Sequence, residues 1–310
     1  MHLEGKNQKK NLRNRKAKEN NVEKHFLITA TEQKSSDYGI NFVGHFFENK
    51  KDIKITLFYV APRPPAVWAG ERTLDSESQQ QAKEGEYMRK GQKAVGEAKK
   101  TLIKSGFSEE QLKTKVRFQM FSKVDDIIQE GSQGLYDAVV LGRRGLSRLE
   151  EAFDESVSSG IMKHKYAFPL WLCRVPDLHR KNVLICLDGS EPAYRITDHA
   201  GFILSNEEKH RVTLLRVRRD RNDRKSDEIF NQARKLLVKN EFPESMIETK
   251  VIDEANPAKA ILNEAEQEKY AVVAAGWSGR GKGVLECLFS GSNCYTLFRQ
   301  LERAVLWTSY

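Results

Sequence analysis

The sequence predicts an α/β protein built from two tandem, doubly wound domains, each with a five-stranded parallel sheet. Short apolar runs of strand length alternate with helical patterns, which is typical of parallel sheets with helices on both faces. Residues 136–158 and 270–292 also repeat one design, an apolar strand that runs into a glycine-rich loop. A chain of 310 residues is long enough for two domains of ordinary size, so we interpret the repeat as an internal duplication.

The elements of the first half follow from the apolar pattern along the chain. A proline-rich loop at 61–70 separates the second strand from a long polar helix, because proline lacks the N–H that a helix interior needs. The predicted strands lie at 26–31, 53–60, 114–120, 136–141 and 168–175, and the predicted helices at 38–46, 76–104, 124–129 and 156–165.

The second half repeats this order of strands and helices with fewer inserted residues. Equivalent positions are 157 residues apart at the first strand and 134 apart at the glycine loop, so the first half carries 23 extra residues. We expect most of them in the proline-rich loop and in the long helix after it. The predicted strands lie at 182–187, 211–217, 248–252, 270–275 and 304–309, and the predicted helices at 192–204, 225–239, 257–268 and 291–299.

Composition excludes several classes of protein. No apolar run reaches the roughly 20 residues that a membrane span requires, so no membrane partner is expected. The first 24 residues lack the apolar core of a secretory signal, and the four cysteines show no Cys-x-x-Cys spacing. These features favour a soluble protein in a reducing cytoplasm. The seven histidines include no pair at metal-ligand spacing.

The net charge of +9 is concentrated at the start of the chain. Residues 1–24 hold eight Lys or Arg against three Glu. We expect a disordered tail there, either solvated without a dedicated partner or in weak contact with nucleic acid through counterion release.

The glycine loop after the strand at 270–275 predicts a phosphate site. Glycine lets the backbone approach a bulky anion, and a helix N-terminus offers unpaired N–H groups and the positive end of its dipole. A flexible connection that binds nothing is the alternative interpretation. The candidate residues are Gly276, Gly279, Gly281, Gly291 and Ser292.

The stretch Leu-Asp-Gly-Ser-Glu-Pro at 187–192, together with Val-Val-Ala-Ala-Gly-Trp-Ser-Gly-Arg-Gly at 272–281, resembles the universal stress protein family. The resemblance covers nearly everything after residue 24. It implies a Rossmann-like sheet of order 3-2-1-4-5 in each domain and an internal pseudo-dimer in which the fifth strands pair. Whether whole chains also form homodimers stays open. The implied division is a tail at 1–24, an N-terminal domain at 25–178 and a C-terminal domain at 179–310.

The resemblance also assigns roles in an ATP site. It implies that Asp188 contacts the nucleoside and that the backbone of Val217 meets the adenine, while the loop glycines and Ser292 hold the phosphates. Family members place nine residues between the second and third glycines, but eleven separate Gly279 from Gly291. Counting from Gly281 restores nine but puts Ser278 where the first glycine belongs, so the register of the loop stays open. Asp188 has an alternative role as an Asx turn or helix cap.

The first half departs from the family pattern. Gly142, Gly145 and Ser156 match it, but Thr31 stands where the acid is expected and Glu155 replaces the last glycine. A carboxylate close to a phosphate is unfavourable, so we expect an empty or altered first site.

The leading hypothesis is therefore an ATP-binding regulatory protein of the stress response, with Mg²⁺ or Mn²⁺ on the phosphates and the working site in the C-terminal domain. An interaction or dimerisation protein that has lost its nucleotide is the alternative. A slow nucleotide-using enzyme is less favoured, because no catalytic base or nucleophile is evident and the His-x-Gly-His and Ser-Gly-Gly-x-Asp-Ser signatures of related enzymes are missing from the sequence.

Overall fold

Strands and helices alternate through both halves of the computed structural model, which describes residues 23–32, 37–64, 74–142, 168–219, 225–276, 296–297 and 300–309. The strands are β1 (Lys24–Thr29), β2 (Ile53–Ala61), β3 (Leu112–Phe118), β4 (Ala138–Leu141), β5 (Leu170–Leu172), β6 (Val183–Cys186), β7 (Val212–Arg218), β8 (Ile247–Asp253), β9 (Val272–Gly276) and β10 (Val305–Ser309). The helices are α1 (Tyr38–Phe46), α2 (Leu74–Lys104), α3 (Lys123–Gln133), α4 (Glu191–Leu204), α5 (Ser226–Lys239) and α6 (Pro257–Gln267). Short 3₁₀ turns at Glu109–Gln111 and Glu244–Met246 precede β3 and β8.

All ten described strands form one continuous sheet in the order β3-β2-β1-β4-β5-β10-β9-β6-β7-β8. Each half therefore has the predicted order 3-2-1-4-5. Neighbouring strands within each half are parallel, and β5 and β10 pair antiparallel with Trp171 opposite Trp307. The fold class and the internal pseudo-dimer are confirmed.

The sheet has an apolar layer on each face because successive strand residues point to opposite sides. In β1, Phe26 and Ile28 belong to one layer, and Leu27 belongs to the other. The three side chains are fully buried. Continuous apolar runs such as Ala138–Leu141 arise because strands covered on both faces have no solvent side.

Polar caps determine where several helices begin. The side chains of Ser122, Ser190 and Asn256 accept hydrogen bonds from the backbone N–H groups of the first turns of α3, α4 and α6. Proline also lies in the first turn of α4 and of α6, where its missing N–H costs nothing. Both helix starts lie within one residue of their predicted positions.

Polar contacts join the two halves beside the β5–β10 seam. Lys24 donates from Nζ to the backbone carbonyl of Ser205 at 2.8 Å, and Lys181, its counterpart in the second half, pairs with Glu48. The buried carboxylate of Glu207 accepts the backbone N–H groups of Glu48 and Asn49 at 3.1 and 3.2 Å. The second half thus holds the loop after α1 through charge-assisted hydrogen bonds.

The structure adjusts several predicted boundaries. Helix α2 has 31 residues and α5 has 14, so the long-helix part of the predicted extra length is confirmed. Strand β5 covers only Leu170–Leu172 of the predicted 168–175, and it begins after Pro169, which has no N–H for a ladder bond. The predicted helix at 156–165 lies outside the described residues, as does most of the one at 291–299.

Two observations concern the tail and membranes. Strand β1 begins at Lys24, the last residue of the predicted tail. Among the described residues, no helix combines the length and hydropathy needed to cross a bilayer.

Candidate functional site

Three of the predicted site residues lie at the edge of the sheet where β6, β7 and β9 end. Cys186, the last residue of β6, is level with Leu215 of β7 and with Ala275 of β9. Asp188 therefore follows β6 at the level of Val217 and close to Gly276. Strand order reverses between β6 and β9, so this edge is the topological switch point of the second half.

Asp188 is exposed and forms an Asx turn at this edge. Its Oδ1 accepts a hydrogen bond of 2.9 Å from the backbone N–H of Ser190. Gly189, between them, has φ +83°, a conformation that glycine adopts without steric cost. The local role that the sequence allowed for Asp188 is thus present, and the same turn fixes its carboxylate at the switch point.

Helix α4 begins directly after this turn. The hydroxyl of Ser190 accepts a hydrogen bond of 3.4 Å from the backbone N–H of Ala193, and Glu191 places an acid in the first turn. A carboxylate at this position complements the positive end of the helix dipole. The N-terminus of α4 is therefore held at the edge that carries Asp188.

Gly276 is the point at which the glycine loop meets α4. A Cβ added to Gly276 would lie 2.3 Å from the backbone nitrogen of Ala193 and 2.4 Å from the carbonyl carbon of Pro192. Real Cβ atoms do not approach backbone so closely, so only glycine fits between β9 and the first turn of α4. The glycine is required by packing, whatever the loop after it does.

Val217 lies near the end of β7, opposite Ile252 of β8. It is half-buried, and its side chain packs in the apolar layer that includes Ile252 and Leu262. The next residue, Arg218, forms a bidentate pair with Asp253 at 2.8 and 3.1 Å. The predicted contact between the Val217 backbone and an adenine remains a prediction.

Two further side chains near Asp188 were missed by the sequence interpretation. Burial is the main cause that raises the pKa of Tyr194, and the charges of Glu228 and Asp188 raise it further. The charge of Arg216 lowers the same pKa. These charges act on one phenol, so they lie around the same end of α4. Arg216 is only 8% exposed although it interrupts the apolar run of β7, and that interruption is the signal that could have identified it.

The remaining candidates lie outside the described residues. They are Gly279, Gly281, Gly291 and Ser292 in the second half, and Gly145, Glu155 and Ser156 in the first. The register of the glycine loop therefore remains a prediction. In the described parts of the chain, no three His, Cys, Asp or Glu side chains come together as metal ligands.

Each half has an equivalent hydrogen bond next to its switch point, and this bond aligns the two switch points residue by residue. Ala30 donates its N–H to the carbonyl of Phe58 at 2.9 Å, as Leu187 does to Leu215 at 2.8 Å. Thr31 therefore occupies the place of Asp188, which agrees with the sequence alignment of the two halves. Position 142, the counterpart of Gly276, is glycine too.

The fold is thus of the doubly wound type that binds ligands beyond the carboxyl ends of its strands. The model of the universal stress protein family matches residues 24–165 and 179–307. The chain belongs to the universal stress protein family, as a member with two tandem copies of the domain.

Solved structures with the same fold include "a universal stress protein from Archaeoglobus fulgidus DSM 4304", with a TM-score of 0.63 and 17% identity over 92% of this chain and 97% of that one. A functionally unknown Pseudomonas aeruginosa PAO1 protein, PA1789, aligns over 93% of both chains at 10% identity and a TM-score of 0.46. A universal stress protein solved in complex with cAMP aligns over 42% of this chain and 95% of its own, at 18% identity and a TM-score of 0.36. No curated protein matched the chain.

Proposed function

We propose that this chain is a regulatory nucleotide-binding protein of the stress response that holds ATP at the switch point of its second half. In this proposal the Asp188 carboxylate accepts hydrogen bonds from the nucleoside, and the backbone of Val217 meets the adenine. Gly276, Gly279, Gly291 and Ser292, with Gly281 in the alternative register, surround the phosphates and an associated Mg²⁺ or Mn²⁺.

The close packing of Gly276 against Ala193 is the main support for the proposal. It fixes the start of the glycine loop against the helix that follows Asp188, so the proposed nucleoside and phosphate ends of the site begin at adjoining points. The Asx turn gives the carboxylate a defined position before a ligand arrives. Pre-organisation of this kind reduces the entropy lost on binding.

The proposal assigns different work to the two halves. Residues 179–310 would form the nucleotide-binding domain, whereas residues 25–178 would form a paired domain with an altered site. Thr31 in place of the acid supports this assignment, because a hydroxyl is a weaker acceptor than a carboxylate. We place the protein in the cytoplasm on the basis of its cysteine usage.

A second candidate is an interaction protein that has lost its nucleotide. One observation favours it, namely that Asp188 already has a local partner in the Ser190 N–H. A structural Asx turn would keep aspartate at this position without any ligand.

Titration calorimetry of the full chain with ATP and Mg²⁺ separates these candidates. We expect one site, and Asp188→Asn should retain the turn through its amide oxygen while losing the charge that the ligand needs. Hydrogen bonds to charged groups contribute about 1.5–3 kcal/mol, so the affinity should fall by roughly tenfold to 150-fold.

Glu208→Gln is the matched control, because it removes an exposed acid beyond the opposite end of α4. Its affinity should equal that of the parent. A parent that takes up no ATP, or an Asp188→Asn variant that binds as tightly as the parent, would refute the proposed site.

A further inference from the structure

In the first half, a short hydrogen bond joins the ends of β1 and β2. Tyr59, the third residue from the end of β2, donates its hydroxyl to Oε1 of Glu32 at 2.5 Å. Glu32 lies three residues beyond the end of β1. The pair therefore spans two strand ends at the carboxyl edge of the sheet.

The pair lies where the second half has its proposed nucleoside end. Because Thr31 corresponds to Asp188 and Phe58 to Leu215, Glu32 corresponds to Gly189 and Tyr59 to Arg216. A bulky carboxylate and a phenol thus replace a glycine and an arginine. The first half therefore still has an acid near this position. It lies one residue further along the chain and is hydrogen-bonded to Tyr59.

Helix α2 holds the tyrosine in place from the other side. Tyr59 is 4% exposed, and a Cβ added to Gly91 would lie 2.7 Å from its Cδ1 and 2.7 Å from Cγ1 of Val116. The glycine lets the helix backbone lie directly on the ring. The phenol cannot swing away from Glu32 on that side without moving α2.

Helix α2 also extends past the point at which its counterpart α5 begins. The N–H of Phe107 donates to the carbonyl of Leu102 at 3.1 Å, and the equivalent bond in the second half joins Phe242 to Leu237 at 3.1 Å. This equivalence aligns Gly91 with Ser226, the first residue of α5. Helix α2 starts at Leu74 and continues through this position.

We propose that Glu32 and Tyr59 form a plug that closes the first switch point to nucleotides. The plug fills the place of the nucleoside with a carboxylate that is already bonded to Tyr59 and with a ring that α2 holds in place. These two residues, and not the loss of the acid at Thr31 alone, determine that the first half takes no ligand. The inference rests on the proposed function for the second half.

A double-mutant cycle on unfolding tests the plug without any ligand. If the two side chains act as one unit, Glu32→Ala with Tyr59→Phe should be no less stable in urea than the less stable single variant. Tyr59→Phe combined with Glu110→Ala, which truncates an exposed acid on the turn before β3, is the control and should be additive. Additive losses for Glu32 and Tyr59 would overturn the plug.

Titration with a fluorescent ATP analogue tests its effect on specificity. In an Asp188→Ala background, Thr31→Asp with Glu155→Gly restores the family pattern of the first half but leaves the plug, and we expect no binding. Adding Glu32→Gly and Tyr59→Ala, which remove both the carboxylate and the ring, should open one site per chain. Binding before the plug is removed, or none afterwards in a folded protein, would overturn the inference.

The two proposals fail in different ways. A parent that binds no ATP refutes the nucleotide site of the second half, and the unfolding cycle then decides whether the plug exists. A parent that binds two equivalents refutes the plug and leaves the second site standing.

Discussion

Trp171 and Trp307 stack face to face across the middle of the sheet, with ring centroids 4.3 Å apart and ring planes at 11°. The two residues occupy opposed positions on β5 and β10, and both are fully buried. Each belongs to a different half of the chain. The core of one half therefore continues into the core of the other through these rings.

We expect Trp307→Ala to destabilise the whole molecule. Removing a buried tryptophan leaves a cavity and costs about 3–5 kcal/mol. Urea unfolding should show a lower midpoint for both halves, because the change lies at their common seam. An unchanged midpoint would show that the halves are independent.

Trp307→Phe is the matched control. Within the described residues, Nε1 of Trp307 is buried without a hydrogen-bond partner, so phenylalanine removes an unsatisfied donor while keeping an aromatic ring. We expect a much smaller loss of stability than for alanine. A loss equal to that of Trp307→Ala would contradict the packing argument.

His199 introduces a pH dependence at the same seam. Its Nε2 accepts a hydrogen bond of 3.1 Å from Nε1 of Trp171, and burial lowers its pKa to about 3. The folded state therefore keeps the imidazole neutral while the unfolded chain protonates it near pH 6.5. Its contribution to stability is present above pH 6.5 and is lost as the pH falls towards 3.

His199→Gln should flatten this dependence. Between about pH 6 and pH 4 the parent should lose roughly 1.4 kcal/mol per pH unit more than the variant, because one extra proton binds the unfolded state. Urea unfolding at several pH values measures the slope. Equal slopes for the parent and His199→Gln would refute the assignment.

Gly276→Ala should damage both packing and the proposed site. The added methyl group meets the backbone of Pro192 and Ala193, which cannot rotate away as a side chain would. We expect a loss of about 1–3 kcal/mol in unfolding free energy and weaker ATP binding. Thermal unfolding and calorimetry measure the two effects.

Gly96→Ala provides the opposite control. Its added Cβ meets nothing within 4 Å and lies in the interior of helix α2. Alanine in a helix interior is favoured over glycine by about 0.5–1 kcal/mol. If both substitutions destabilise equally, the close contact at Gly276 is not the cause.

Removal of residues 1–22 should leave folding unchanged and weaken any contact with nucleic acid. The deletion stops before Lys24 because that residue is 4% exposed and bonds Ser205. Binding to labelled RNA at several salt concentrations checks the prediction, because a basic segment binds through counterion release. Equal, weak binding by both proteins would identify the segment as a spacer.

The sequence predicted the strands well where burial alone determines them. Runs such as Val183–Cys186 and Ala138–Leu141 are apolar because both faces are covered, so their positions are visible in the sequence. Gly276 was identified from the glycine-rich loop that it begins, and Asp188 from the resemblance to the universal stress protein family. The switch point follows from these two features together.

The rest depends on contacts between distant residues. The stacking of Trp171 on Trp307 requires a register between β5 and β10, and no local pattern encodes that register. Likewise, Glu32 and Tyr59 come into contact only because β1 and β2 are neighbours in the sheet. The sequence interpretation therefore identified Thr31 but not the acid next to it.

Because the two halves are covalently linked, dilution affects their pairing at the β5–β10 seam differently from the pairing of two separate subunits. Two separate subunits joined by such a seam would come apart as their concentration falls, whereas the halves of one chain remain at a fixed effective concentration of millimolar order for a short linker. The connection between β5 and β6 is short, so re-pairing after a transient opening is an intramolecular event. The stacked tryptophans should therefore stay together at any cellular abundance of the protein, and a low copy number would not unpair the halves.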